Sequence, residues 1–163
     1  MRSKMFIKPD YNLKNIYEID LDELQNQGIK AMLFDLDSTL MASKSGIYTD
    51  ETYSFIRSVQ ERFFMAVVSN NTNKKYMEKV RKVTDFPILF EACKPRTGII
   101  RKFLSEHNIE PKDCVLVGDR PLTDILCGKL LGCKTILVDS ITAEKEHKIV
   151  RFVRALERLS IKK

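Results

Sequence analysis

Apolar residues along this chain collect into short unbroken runs, and between the runs they recur every three or four positions. The runs at 31–34 and around Met65, Leu89, Val115 and Ile136 lack polar alternation, so they predict strands buried on both faces. The periodic stretches between them predict helices over 50–62, 73–83, 95–107 and 121–131, with Gly132 closing the last. Upstream, Asp20-Leu21-Asp22-Glu23 resembles a capping box for a short helix that runs to about residue 27 and stops at Gly28. Strand and helix alternate without an internal repeat or a low-complexity linker, which predicts an α/β domain of three layers around a parallel sheet. One domain is expected over 1–163, with an N-terminal extension at 1–29 and a basic C-terminal helix at 144–160.

Composition narrows the class only a little: 163 residues, 44% hydrophobic and 31% charged, suit a soluble domain with a real core. The longest apolar run, 63–68, is far too short to cross a bilayer, and the first ten residues lack the apolar core of a signal peptide, so a cytoplasmic protein is expected. Cysteines 93, 114, 127 and 133 form no C-x-x-C pair and read as buried thiols in a reducing compartment. His107 and His147 fall in predicted helices with no third ligand evident and read as surface or packing residues. Charge is more informative. Residues 144–163 carry seven Lys/Arg against three Glu, which is +4 of the total +6, and place Ile149, Phe152, Val153, Leu156 and Leu159 along one helix face. Such a helix either lies in a membrane interface or docks on the sheet with its basic face in water.

The candidate chemistry sits where strands end. In Met32 to Leu40, MLFDLDSTL, an apolar run delivers Asp35, Asp37 and Thr39 as D-x-D-x-T. The pattern suits an aspartyl nucleophile, an acid/base partner and a bound divalent cation; the blander reading is a strand entering an acidic turn. Three other segments favour the first. Phe64 to Asn71, FMAVVSNN, ends in Ser69, Asn70 and Asn71, small polar groups able to hold phosphate oxygens. Cys93-Lys94-Pro95 leaves a lysine at a strand-to-helix junction, with Pro95 able to open the helix. Val115 to Asp124, VLVGDRPLTD, brings Asp119 and Asp124 to a further strand end. In an open parallel sheet the ligand lies beyond the carboxyl ends of the strands, where these four segments can converge.

In order and spacing, Asp35-Leu36-Asp37-Ser38-Thr39, Ser69, Lys94 and Gly118-Asp119 through Asp124 resemble the four motifs of the haloacid dehalogenase (HAD) superfamily. The resemblance spans about residues 31–138, and G-D-x-x-x-T-D is similar to subclass IIIA. The whole chain resembles the small bacterial YqeG-type phosphatases, which are similar to mitochondrial phosphatidylglycerophosphate phosphatases. The resemblance implies a HAD-like Rossmannoid fold with strand order 3-2-1-4-5, counted from the strand at 31–34. It also implies roles. Asp35 would be the nucleophile and Asp37 the general acid and base. Asp35, the main-chain carbonyl of Asp37 and Asp119 would hold Mg2+, an ion that prefers hard oxygen ligands. Ser69, the backbone at Asn70 and Lys94 would bind the phosphoryl group. Asp124 would orient a metal-bound water or Lys94 from behind, and Thr39 would tie the nucleophile loop together.

Only 29 residues separate Thr39 from Ser69, and 24 separate Ser69 from Lys94. A crossover helix and a strand use most of each interval, so the fold is expected to be capless and its site open to large substrates. Together with the basic C-terminus, the resemblance to the subgroup implies a Mg2+-dependent phosphomonoesterase acting on phosphatidylglycerophosphate, in the cytoplasm and peripheral at the inner face of the membrane. The alternatives are a phosphatase acting on a phosphoprotein, a nucleic-acid end or a soluble phosphometabolite, or a catalytically silent HAD protein that binds ribosomes or RNA.

Overall fold

Each apolar run forms a strand whose alternate side chains enter opposite layers. The strands are β1 (Tyr11–Leu13), β2 (Ala31–Phe34), β3 (Phe64–Val68), β4 (Ile88–Leu89), β5 (Cys114–Gly118) and β6 (Lys134–Val138). The helices are α1 (Leu21–Asn26), α2 (Asp50–Gln60), α3 (Lys74–Val83), α4 (Gly98–Glu106) and α5 (Leu126–Leu131). The computed structural model describes residues 7–141 and 156–159. Its six strands form one parallel sheet in the order β1-β6-β5-β2-β3-β4. Without β1, this is the expected 3-2-1-4-5 arrangement, with β2 at the centre.

All four residues of β2 are fully buried. Met32 and Phe34 face one layer, where Phe55, Ile56 and Val59 of α2 and Met77 and Val80 of α3 pack on them. Ala31 and Leu33 face the other, against Ile100 and Leu104 of α4 and Cys127 and Leu131 of α5. This period-two division explains why the run contains no polar residue. The helices begin where side chains can satisfy the unpaired N–H groups of their first turn. Thr49 accepts from the Thr52 N–H at 3.1 Å, Asn73 from the Tyr76 N–H at 3.0 Å, and Asp20 from the Glu23 N–H at 2.9 Å. Gly132 ends α5 with φ +87, a left-handed conformation that favours glycine.

Four expectations change. The extension at 1–29 contributes an edge strand: β1 pairs with β6, Tyr11 opposite Ile136. The helix expected at 95–107 starts at Gly98, because the Arg96 N–H closes a turn onto the Cys93 carbonyl at 2.9 Å. The helix expected at 121–131 opens with a π turn, Pro121–Ile125, before α5. The helix expected at 50–62 stops at Gln60. Of the helix at 144–160, residues 156–159 are helical and the others lie outside the described residues, as does His147. Cys114, Cys127 and Cys133 are buried and Cys93 is exposed. His107 lies against the rings of Phe103 and Phe64, as a packing residue does. No helix among the described residues is long and apolar enough to cross a membrane.

Candidate functional site

The carboxyl ends of β2, β3 and β5 meet over an open crevice of about 310 Å³, lined among others by Asp35, Asp37, Ser69, Asn70, Lys94 and Asp124. Asp35 leaves β2 in register, its N–H donating to the Val117 carbonyl at 2.9 Å, so the first acid is placed by the sheet itself. The chain then turns back at once: Ser38 is left-handed with φ 67, and its N–H donates to the Met41 carbonyl at 2.8 Å. Asp119 follows β5 directly. Asp124 arrives from the π turn, one of whose uses is to re-aim a side chain at a functional position.

Lys94 joins these elements. Its ammonium is buried and donates to Asp35 Oδ1 at 2.8 Å and to Asp124 Oδ1 at 2.7 Å. Its main chain is held equally well. Asn70 Oδ1 accepts from the Lys94 N–H at 2.7 Å, and Asn70 Nδ2 donates to the Lys94 carbonyl at 2.9 Å. The side-chain amide of Asn70 is therefore occupied in aiming the lysine, and only its backbone faces the phosphate role expected of it.

Asp35, Asp119 and Asp124 place carboxylate oxygens within 4.8 Å of one another. Three such anions around one ammonium leave an excess of negative charge at a site where the Asp35 side chain is only 15% exposed. Burial, then the neighbouring Asp124, push the Asp35 carboxyl up to about 6 against the downward pull of Lys94. Burial alone would pull the Lys94 ammonium down, but Asp124 and Asp35 together hold it above the usual lysine value. A hard divalent cation fits this donor set, since it would neutralise the excess while accepting only oxygens.

Asp37, Asp124 and Thr39 take distinct positions around the cluster. The Asp37 carboxylate turns away from the cluster: Oδ1 accepts from the Tyr76 hydroxyl at 2.5 Å and from the Lys44 N–H at 3.0 Å. The third carboxylate of the cluster is that of Asp124, which accepts from the Lys94 ammonium, one of the two partners expected of it. Thr39 reaches across the sheet instead of bracing its own loop, its hydroxyl donating to Asp119 Oδ1 at 3.3 Å. Ser69 is buried, and its Oγ accepts from the Asn71 N–H at 3.1 Å.

Sequence reading missed Tyr76 and Arg120. The Tyr76 hydroxyl is raised above the ordinary tyrosine range by burial and by the Asp37 carboxylate, so it remains a donor. Arg120 lines the crevice, and its guanidinium pairs at 2.8 Å with the buried Glu157 of the C-terminal helical segment. Its position between Asp119 and the π turn was the one available signal, whereas nothing local marks Tyr76.

Comparison with known proteins agrees with this geometry. The family model described as mitochondrial PGP phosphatase matches residues 1–142. The Bacillus subtilis protein named "Probable phosphatase YqeG" is 29% identical over 155 residues, covering 95% of this chain and 90% of that protein. The chloroplastic/mitochondrial phosphatidylglycerophosphate phosphatase 1 of Arabidopsis thaliana is 28% identical over 172 residues; the match takes in 100% of this chain and 49% of the plant protein. Among solved structures, a HAD family enzyme of Bacteroides thetaiotaomicron in complex with magnesium superposes with a TM-score of 0.54 at 16% identity, covering 77% of this chain and 98% of that one. A "predicted HAD-like family hydrolase" of Porphyromonas gingivalis gives 0.56 at 14% identity, covering 79% and 98%.

Gly118 tests how tightly the cluster is packed, because a Cβ added there would overlap the Cβ and carboxylate of Asp124. That carboxylate is pinned by Lys94 and by the Arg120 N–H at 3.2 Å, so it has no easy escape. Gly118→Ala should lower unfolding stability by about 1–3 kcal/mol in denaturant titration. Wild-type stability would show that Asp124 can move at little cost.

Proposed function

Because the chain belongs to the mitochondrial PGP phosphatase family, we propose that it hydrolyses phosphatidylglycerophosphate through a phosphoaspartyl intermediate on Asp35. The chain is a HAD-type phosphatase. The observation that carries the mechanistic reading is the trio Asp35, Asp119 and Asp124, two of them buried, with Lys94 bonded to Asp35 and Asp124 and with Asp35 and Asp124 lining the crevice.

Asp35 attacks phosphorus, forming an aspartyl phosphate as the bond to the alkoxide breaks, and Asp37 gives that alkoxide its proton. Water then attacks the aspartyl phosphate, Asp37 takes the water's proton, and phosphate departs with Asp35 restored. Splitting one displacement into two suits a carboxylate nucleophile. Lys94 offsets the repulsion between that carboxylate and the phosphoryl oxygens, and Ser69 with the Asn70 backbone seats those oxygens. Asp35, Asp119 and the main-chain carbonyl of Asp37 would hold Mg2+, with Asp124 beside them; magnesium bound there supplies charge neutralisation at the transferring group.

Three features support a lipid substrate. Among the described residues the connections from β2 to α2 and from β3 to α3 contain no cap, so the crevice admits a headgroup that remains anchored in a bilayer. Exposed basic residues follow its lining segments closely in the chain: Lys44, whose N–H donates to Asp37; Lys74 and Lys75, opening α3; and Arg96, two residues from Lys94. Exposed apolar side chains share that end. Leu122 lies in the π turn, the Ile141 N–H donates to the Ser38 carbonyl at 3.0 Å, and Leu156 adjoins Glu157. A basic rim alone fits nucleic acid or phosphoprotein as well; the aliphatic side chains favour anionic phospholipid. We accordingly place the protein in the cytoplasm, peripheral at the inner face of the membrane, as one domain.

Three outcomes test this reading. Phosphatidylglycerophosphate in mixed micelles should be hydrolysed faster than soluble phosphomonoesters at matched concentration in a phosphate-release assay; equal or slower turnover contradicts the lipid substrate. Asp35→Asn should reduce turnover to below about a thousandth of wild type, and wild-type activity in that variant would remove the covalent mechanism. Since Asp35 retains its proton up to about pH 6, proton and cation compete for it. Mg2+ affinity by calorimetry should therefore weaken as pH falls through that value, and an unchanged affinity between about pH 5 and about pH 7 would exclude Asp35 as a ligand.

A further inference from the structure

The first turn of α3 hangs on a continuous line of hydrogen bonds between the Ser69 seat and Asp37. Ser69 Oγ accepts from the Asn71 N–H at 3.1 Å, Asn71 Oδ1 from the Asn73 N–H at 2.8 Å, and Asn73 Oδ1 from the Tyr76 N–H at 3.0 Å. The Tyr76 hydroxyl completes the line on Asp37 Oδ1 at 2.5 Å, where the Lys44 N–H also donates at 3.0 Å. Its oxygen lies 3.4 Å from Met41 Sδ, a weak acceptor that does not compete for the proton.

We propose that Tyr76 is the positioning residue for the acid/base carboxyl of Asp37, fixing Oδ1 so that Oδ2 carries the transferable proton. The inference rests on the phosphatase reading above and adds a residue to it. Two donors on one oxygen fix the rotation of the carboxyl group about its Cβ–Cγ bond, which a single backbone donor would leave free to swing. They also match both protonation states. The neutral acid accepts at its carbonyl oxygen Oδ1 and holds its proton on Oδ2; the carboxylate accepts at Oδ1 through the same two bonds. The proton passes from Oδ2 to the alkoxide oxygen as the phosphorus–oxygen bond breaks, and another returns to Oδ2 from the attacking water. Tyr76 keeps its own proton throughout. Because Ser69 anchors the other end of the line, the seat for the phosphoryl group and the proton donor for its leaving group are set at a fixed spacing by one helix terminus.

A merely structural tyrosine and a positioning one separate by leaving group. An alkyl phosphate such as glycerol 3-phosphate expels an alkoxide that needs the proton, whereas p-nitrophenyl phosphate expels a stable phenolate that needs it far less. Tyr76→Phe should lower kcat on the alkyl ester by about 10–100-fold with KM unchanged, and the loss should exceed that on the aryl ester by about tenfold. On the aryl ester, adding Tyr76→Phe to Asp37→Ala should bring no further loss, because the two side chains act through one interaction. Equal losses on the two esters, or a full additional loss in the Asp37→Ala background, would overturn the proposal. If the phenylalanine variant does not fold, as judged by circular dichroism, Tyr76→Gln carries the same comparison. A wild-type protein that hydrolyses neither of these esters nor phosphatidylglycerophosphate in mixed micelles would overturn the phosphatase reading itself, and this inference with it.

Discussion

A single ammonium, that of Lys94, allows three carboxylates to converge at the end of a parallel sheet. Its contacts of 2.8 Å and 2.7 Å to Asp35 and Asp124 are made almost out of water, where charge–charge terms are largest and unpaired charge is least tolerated. Removing either partner of such a pair leaves the other buried without compensation, so the site is stable only as a unit. One ammonium does not balance three carboxylates. Burial, and after it the neighbouring Asp124, leave Asp35 binding its proton well above the usual aspartate range.

The fold supplies the convergence. β2 and β5 run side by side at the centre of the sheet, Phe34 opposite Val117, so Asp35 and Asp119 emerge next to each other although 83 residues lie between them in sequence. β3 pairs with β2 on the other side and delivers Ser69 and Asn70, and Asn70 in turn captures the backbone of Lys94. Gly118 permits the last approach, since no larger residue leaves space for the Asp124 side chain against the end of β5. Position in the sheet, and the backbone that follows it, thus fix the acids before any ligand binds.

Much of this was legible in the chain because it depends on buried runs and on acids directly after them. The run at 31–34 coincides with β2, and the acids after it and after β5 stand at the crevice. What escaped was set by tertiary partners. β1 is three residues long with a partly exposed, partly polar pattern, and it becomes a strand only by pairing with β6. The start of α4 depends on how Asn70 and the turn at Cys93 seat Lys94, which neither Pro95 nor the apolar period reveals. Asp124 joins the cluster because a π turn, invisible to a 3.6-residue period, precedes α5. Tyr76 meets Asp37 across a separation of 39 residues, and Arg120 meets Glu157 across 37.

The hold that burial and Asp124 give Asp35 on its proton can be measured without any substrate. Asp35 titrates at about 6 in the folded protein against 3.8 for an ordinary aspartate. Its contribution to stability is therefore complete below about pH 4 and is lost as pH rises through about 6, leaving the ionised group destabilising at neutral pH. Thermal unfolding at neutral pH, in chelator and then in excess Mg2+, tests this for wild type and Asp35→Asn together. The account predicts that Asp35→Asn melts above wild type in chelator, and that Mg2+ raises the melting temperature of wild type but not of the variant. A variant that melts below wild type in chelator, or a wild type unaffected by Mg2+, would contradict it.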